Sequence, residues 1–351
     1  MHFLPNAVLL YRLVHKSATI LSAEAWRICH YQTNKPMVLA AKQHFLRQYK
    51  QTHVMNRTAY IFLLVTALLW GGNAVAGKLA VGHISPMLLT LLRWLVAFLI
   101  VAAISGNQVR RDWKMLRAHL PLLAALGAFG FTFFNMALYS ALNYTSAINV
   151  TIEQAGMPMV IFVANLLLFG MAVRPGQIVG FSLSLVGVAL TAGHGSFLKL
   201  AELEVNEGDA LMLLAVLLYS GYTVALRFRP VIHWQSLMTV MTFFAFITAI
   251  PFTIWEWRDG AMITPDFTGI MIVLYTAVLP SLAAQVLFIK GVEYIGANRA
   301  GLFINAVPIF GTLLAVILLG EAFHLYHAIA LVLVLGGIGI AEISGRKHAA
   351  A

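Results

Sequence analysis

The chain is 351 residues long, 60% hydrophobic and only 10% charged, with a mean hydropathy of +0.84. Soluble domains carry about 25% charged residues, so a water-soluble fold is excluded, and a single cysteine, Cys29, excludes a disulfide framework or a thiolate metal site. The formal net charge of +10 would suit a nucleic-acid binder, but the positions of the charges point to another cause.

Residues 1–54 stand apart from the rest of the chain. They carry seven Lys/Arg against one acid, Glu24, and five of the twelve histidines. No apolar region with a small-residue cleavage site marks a secretory signal. Met55 opens MNRTAYIFLL, the short polar start expected directly before a first span. Residues 1–54 are therefore read as a basic N-terminal extension outside the native fold, with a cytosolic tail or a basic, acid-poor organellar presequence as the alternatives.

Beyond Met55 the apolar residues fall in blocks of roughly 18–26, the length that crosses a ~30 Å hydrocarbon core as helix. Strand-like alternation is missing, so the spans are expected to be helices. Ten are expected, at about 60–79, 84–104, 119–139, 145–170, 176–193, 209–226, 235–256, 269–290, 296–320 and 325–344.

The spans form two copies of one unit. Residues 137–170 return at 287–320 without a gap, placing Tyr144 on Tyr294, Ala147 on Ala297, Pro158 on Pro308 and Gly170 on Gly320. The same shift pairs Gly71 with Gly221, Gly187 with Gly337, and the amides Asn135 and Gln285. Internal symmetry across two apolar halves is a transporter signature. Five spans per half is an odd number, so the second copy enters the membrane from the opposite side. The expected fold is all-α and integral to the membrane: inverted repeats at 58–193 and 207–344 around a central cavity.

Loop charges set the expected orientation. Nineteen Lys/Arg lie on the side of the N-terminus and three (Lys78, Lys199, Arg258) on the other; without residues 1–54 the ratio is 12 to 3. Both termini are expected to face the cytoplasm. Acids such as Glu256, Asp259 and Glu321 collect on the outer side. The basic excess is a topology signal, and no nucleic-acid partner is expected.

Trp70–Asn73 (WGGN), Arg93 in the second span, and the proline-bearing fourth and ninth spans resemble the EamA family of the drug/metabolite transporter superfamily. The resemblance covers about residues 58–344. It implies a ten-helix secondary carrier, usually an exporter of amino acids or other small metabolites. The N-terminal extension departs from the family pattern, and no substrate-defining signature is present.

Two charges lie well inside the spans, Arg93 and Glu153. At ~1.5 Å per residue both sit roughly 12–14 Å below the outer surface. The second copy has Phe243 and Phe303 at the matching positions, so both charges are absent together, which suggests partners. A charge in hydrocarbon costs at least about 2.5–3.5 kcal/mol and normally pairs or faces a wet cavity. Either the two line the cavity, Glu153 taking a proton or a substrate ammonium and Arg93 a carboxylate, or they form a static bridge between helices.

Pro158 and Pro308 loosen their helices by removing a donor. Gln154, Asn149, Asn165 and Asn305 are candidates to surround a cavity there, with Asn135 and Gln285 as symmetry mates. Trp70, Asn73, Tyr219 and Tyr222 suit a substrate wall, or packing with one hydrogen bond. Gly176 and Gly180, with Gly336, Gly337 and Gly339, suit close packing or a homodimer contact. Glu321, His324 and His327 are read as a solvated turn. No hydrolase, Walker or dinucleotide motif is present, so neither a cofactor nor a metal is expected. The partners expected are a small-molecule substrate and the lipid bilayer. The expected function is secondary export of small polar metabolites with proton exchange across the cytoplasmic membrane; the alternative is a non-transporting membrane scaffold.

Overall fold

A backbone in hydrocarbon must satisfy its own donors and acceptors, and a helix does so within one segment. The computed structural model describes residues 36–170, 174–196 and 206–346, and every apolar block among them is helical. The chain divides into Met1–Arg57 and Thr58–Ala351. In the first unit the described residues, from Pro36, are helical; most of the expectation for residues 1–54 lies outside the described residues.

The spans are α1 Arg57–Leu79, α2 Pro86–Ala118, α3 Leu120–Ala141, α4 Ala147–Phe169, α5 Pro175–Ala192, α6 Glu207–Phe228, α7 Trp234–Arg258, α8 Phe267–Ile295 and α9 Gly301–Leu319. A tenth helix, α10 Leu325–Arg346, completes the set. Among the described residues these nine long apolar helices plus one shorter apolar stretch make an all-α, ten-helix membrane fold. α2 runs past its expected end at 104 because no Pro or Gly stops it between Gly106 and the His119–Pro121 junction. Its last turns carry Arg110, Arg111, Lys114 and Arg117 as helix rather than loop.

The repeat visible in the sequence is also present in the packing. α5 crosses α10 with Gly180 against Gly337 and Gly187 against Ala330, contacts that exchange under the 150-residue shift. A Cβ on Gly180 would stand 2.3 Å from the Gly337 carbonyl oxygen, so backbone meets backbone there. The small residues thus close an intrachain crossing, while Gly336 and Gly339 face open space.

The pair α2–α7 is tied at both ends by acids. Glu256 accepts from Ser85 Oγ (2.6 Å) and from the Met87 and Leu88 amides (3.1 Å each) at the start of α2. Asp112 accepts from Ser236 Oγ (2.6 Å) and the His233 amide (3.3 Å) at the start of α7. Each carboxylate covers orphan donors at a helix N-terminus. Glu256, placed from the sequence among the acids of the outer side, is buried, and Glu321 does the same for α4, accepting from the Ala147 (2.8 Å) and Ile148 (3.0 Å) amides.

Four helices depart from ideal geometry in matching places. α3 contains a π segment at Ala128–Phe133 and α8 one at Leu279–Ala283, again one repeat apart. α4 breaks between Ala147–Gln154 and Met157–Phe169, with Pro158 in the first turn of its second half. α9 begins as a 3-10 turn, Gly301–Ala306, and turns α-helical at Val307, with Pro308 in the same place. Wide turns and broken helices at membrane depth are where transporters build binding sites.

Candidate functional site

Arg93, on α2, is buried, and α1, α3 and α8 turn polar atoms toward it. Its Nε donates to Ser281 Oγ (2.8 Å), inside the α8 π segment. Its Nη1 donates to Asn73 Oδ1 (2.7 Å) on α1, to Asn135 Oδ1 (2.9 Å), just after the α3 π segment, and to the Tyr139 hydroxyl. Its guanidinium lies 5.0 Å from the centre of the Trp94 ring. Every partner is neutral. Among the described residues no carboxylate forms an ion pair with it, and no acceptor reaches Nη2.

The two π segments help to make this arrangement. Pro280 removes a donor within α8, and Ser281 Oγ donates to the Thr276 carbonyl (2.9 Å), five residues back. That fixes the Ser281 lone pairs toward Arg93. Asn135 donates its amide to the Phe131 carbonyl, leaving its oxygen for the guanidinium. Tyr139 in turn donates to Asn73 Oδ1 (3.0 Å).

The WGGN stretch explains how α1 reaches this site. Gly71 lies against Gly311 of α9, where a Cβ would come 2.7 Å from the Gly311 amide nitrogen; one on Gly72 would strike the Tyr275 hydroxyl at 2.3 Å. The two glycines let α1 approach closely, setting Asn73 beside Arg93. Trp70 Nε1 donates to the Pro280 carbonyl (3.2 Å), tying α1 to the α8 π segment.

Glu153 does not pair with Arg93, which corrects the sequence expectation. It is fully buried at the break in α4, and neither carboxyl oxygen has a hydrogen-bond partner among the described residues. Equal depth fixed the level of the two charges but not their direction around each helix axis. The matching positions in the second repeat are packed aromatics: Phe243 against Phe98 (5.4 Å between ring centres) and Phe303 against Tyr60 (5.6 Å).

The remaining candidates divide. Tyr219 and Tyr222 lie with tilted rings along α6 (5.2 Å between centres), against Phe134 and Phe131 of α3. Gln154, Gln285 and Asn305 are half-buried and make no side-chain hydrogen bond among the described residues. Pro158 is half-buried and Pro308 buried, each at its helix break. Asn165 lies elsewhere, accepting from Arg227 Nη2 (2.6 Å), whose guanidinium covers the Phe169 ring. Sequence reasoning missed Tyr139 and Ser281; their hydroxyls stand in apolar helices with no pattern to flag them. It also missed a polar cluster at one end of the bundle, where Asp209, His194, Asn149 and His327 meet. His327, read as part of a solvated turn, is buried there.

Ten apolar helices in two repeats, with ionisable side chains inside the spans, define a multi-pass membrane transporter. The sequence pattern of the EamA-like transporter family matches residues 57–193 and 206–342, so the chain belongs to that family. The uncharacterized transporter YetK of Bacillus subtilis is 23% identical over 82% of this chain and 88% of its own length. An uncharacterized transporter of Archaeoglobus fulgidus is 26% identical over 81% of this chain and 97% of its own length. The uncharacterized inner membrane transporter YicL of Salmonella typhimurium is 23% identical over 84% and 99%. One solved crystal structure superposes with a TM-score of 0.57 at 20% identity, covering 83% of this chain and 99% of its own, a likeness of fold alone. The scaffold alternative gives way to transport.

Proposed function

We propose that the chain is a secondary carrier that exports a small polar metabolite bearing a carboxylate, an amino acid or a related compound, in exchange for protons. The observation that supports this most is the state of the two interior charges. Arg93 is held by neutral acceptors only, and Glu153 by none among the described residues. A buried charge is normally neutralised by a partner. An anionic substrate group at Arg93 would supply one. At Glu153 the missing partner is a proton or a substrate ammonium. Trp70, Tyr219 and Tyr222 supply aromatic wall, and the unpartnered amides of Gln154, Gln285 and Asn305 supply hydrogen bonds to a polar solute.

The surroundings proposed for this activity follow from the loop charges: the cytoplasmic membrane, with both termini inside. Gly336 and Gly339, open in the structure, are the small residues that a homodimer contact would use. The test begins with a metabolite-resistance screen of cells overexpressing the chain, then uptake of the protective compound into everted vesicles. Arg93→Gln is expected to raise KM about 10- to 100-fold, the worth of a hydrogen bond to a charged group. The primary-amide analogue of the same compound should show no such change. Equal effects on acid and amide would remove the carboxylate from the reading.

A further inference from the structure

A polar cluster lies toward the start of α4 from Glu153. One turn back, buried Asn149 donates from Nδ2 to Thr145 Oγ1 (3.1 Å) and lies 3.5 Å from Asp209 Oδ1, while its Oδ1 is 3.1 Å from His327 Nε2. Thr145 donates to Asp209 Oδ1 (2.5 Å). Asp209 is completely buried in the first turn of α6, and its Oδ2 lies 2.9 Å from His194 Nε2. The His194 side chain is 37% exposed. We propose that His194 and Asp209 form the route by which protons pass between this face of the protein and Glu153. The proposal rests on the reading of Glu153 as the proton site.

The choice of counter-ion points the same way. A buried carboxylate held only for stability is best served by a permanent cation, whereas Asp209 contacts an imidazole, a group that can both take up and release a proton. The other charged or titratable groups facing the cluster are committed or elsewhere. Lys78 spends its ammonium on the Leu142 and Thr145 carbonyls (2.8 Å each), and Glu321 caps α4. His327 is held by Asn149 and by the His324 amide (3.0 Å), and Tyr326 packs against the His324 and His327 rings. Glu153 itself lies within electrostatic reach of Asp209. His194 also has φ +49°, the one positive value outside glycine among the described residues. Such backbone is retained where the surroundings fix it.

The proton balance closes without another reagent than water. Imidazolium of His194 gives its Nε2 proton to Asp209 Oδ2, leaving neutral imidazole and a carboxylic acid. Asp209 then gives up that proton through a water molecule to Glu153, and returns to carboxylate as Glu153 becomes a carboxylic acid. Asn149, which lies 3.5 Å from Asp209 Oδ1, and Glu153 are four residues apart, about 6 Å or one turn along the α4 axis, and the proposed relay places its water along that turn. Imidazole regains its proton from the aqueous phase.

The test is carboxyl exchange followed by infrared spectroscopy on the full chain in a lipid film. A carbonyl band of protonated carboxyl is assigned to Glu153 by its loss in Glu153→Gln, and its shift is timed after the buffer is changed to D2O. Asp209→Asn, which keeps the Thr145 bond, is expected to slow that shift about 100-fold, the lower end of what a positioned proton-transfer group contributes. His194→Gln should slow it in the same direction, and Asp209→Glu should restore it. Exchange at the parent rate in both Asp209→Asn and His194→Gln overturns the route while leaving Glu153 as proton site. No band dependent on Glu153 at any pH overturns that reading and the route with it.

Discussion

Replacing Arg93 with methionine separates the site seen in the structure from an ion pair. The guanidinium in the membrane interior carries a desolvation penalty of at least about 2.5–3.5 kcal/mol, and its bonds to Ser281, Asn73, Asn135 and Tyr139 offset it. After substitution most of those groups keep a partner. Tyr139 still donates to Asn73, Ser281 to the Thr276 carbonyl, and the Asn135 amide to the Phe131 carbonyl. The orphan is Asn135 Oδ1, at about 1–3 kcal/mol. The two terms nearly cancel, so Arg93→Met is expected to lose no more than about 2 kcal/mol, against about 3–5 kcal/mol for breaking a buried pair. Arg93 and Glu153 share no hydrogen-bond partner, so the double mutant with Glu153→Gln should be additive within about 0.5 kcal/mol. The assay is a double-mutant cycle from reversible unfolding in mixed micelles. A coupling energy near 3 kcal/mol would restore the ion pair and refute this account of the site.

Gly71→Val forces a side chain into the Gly311 backbone, where even a Cβ would sit at 2.7 Å; a loss of about 1–3 kcal/mol or more is expected from overpacking, read as a lower unfolding midpoint. Gly180→Leu meets the Gly337 carbonyl in the same way, and should lower thermal stability at every protein concentration, as an intrachain crossing requires. Asp266, ahead of α8, is held below the usual carboxylate range first by the Gly269 amide and then by His83. A depressed folded pKa gives stability present at neutral pH and lost as pH falls through it. The advantage of the parent over Asp266→Asn in unfolding midpoint should therefore shrink between pH of about 5 and about 2, and a pH-independent difference would contradict the assignment. For topology, after Cys29 is changed to Ser, Ala261→Cys should react with an impermeant thiol reagent from outside and Gly106→Cys should not.

The ten spans, the duplication and the proline breaks were legible because each is a one-dimensional property: block length, a fixed shift, a missing donor. The π segments were not. Pro280 hints at one, but Ala128–Phe133 contains only small and aromatic residues with nothing to mark a widened turn. Arg93 and Glu153 were rightly singled out as interior charges, and wrongly joined, because depth along a helix says nothing of azimuth. The true partners of Arg93 come from α1, α3 and α8, three helices whose mutual rotation only packing determines. The His194–Asp209–Asn149–His327 cluster was hidden for a related reason. Its members are spread from residue 149 to residue 327 and meet only where α4, α5, α6 and α10 end together.

Whether Glu153 carries the exchanged proton is decided by comparing counterflow with net flux. Parent and Glu153→Gln proteins are reconstituted into liposomes with the compound identified by the resistance screen. Radiolabelled exchange at equal pH is measured beside net movement driven by an imposed pH gradient. Glu153→Gln is expected to retain exchange and to lose its response to the gradient. A Glu153→Gln protein whose net flux still follows the pH gradient as the parent's does would contradict the assignment of the proton to Glu153.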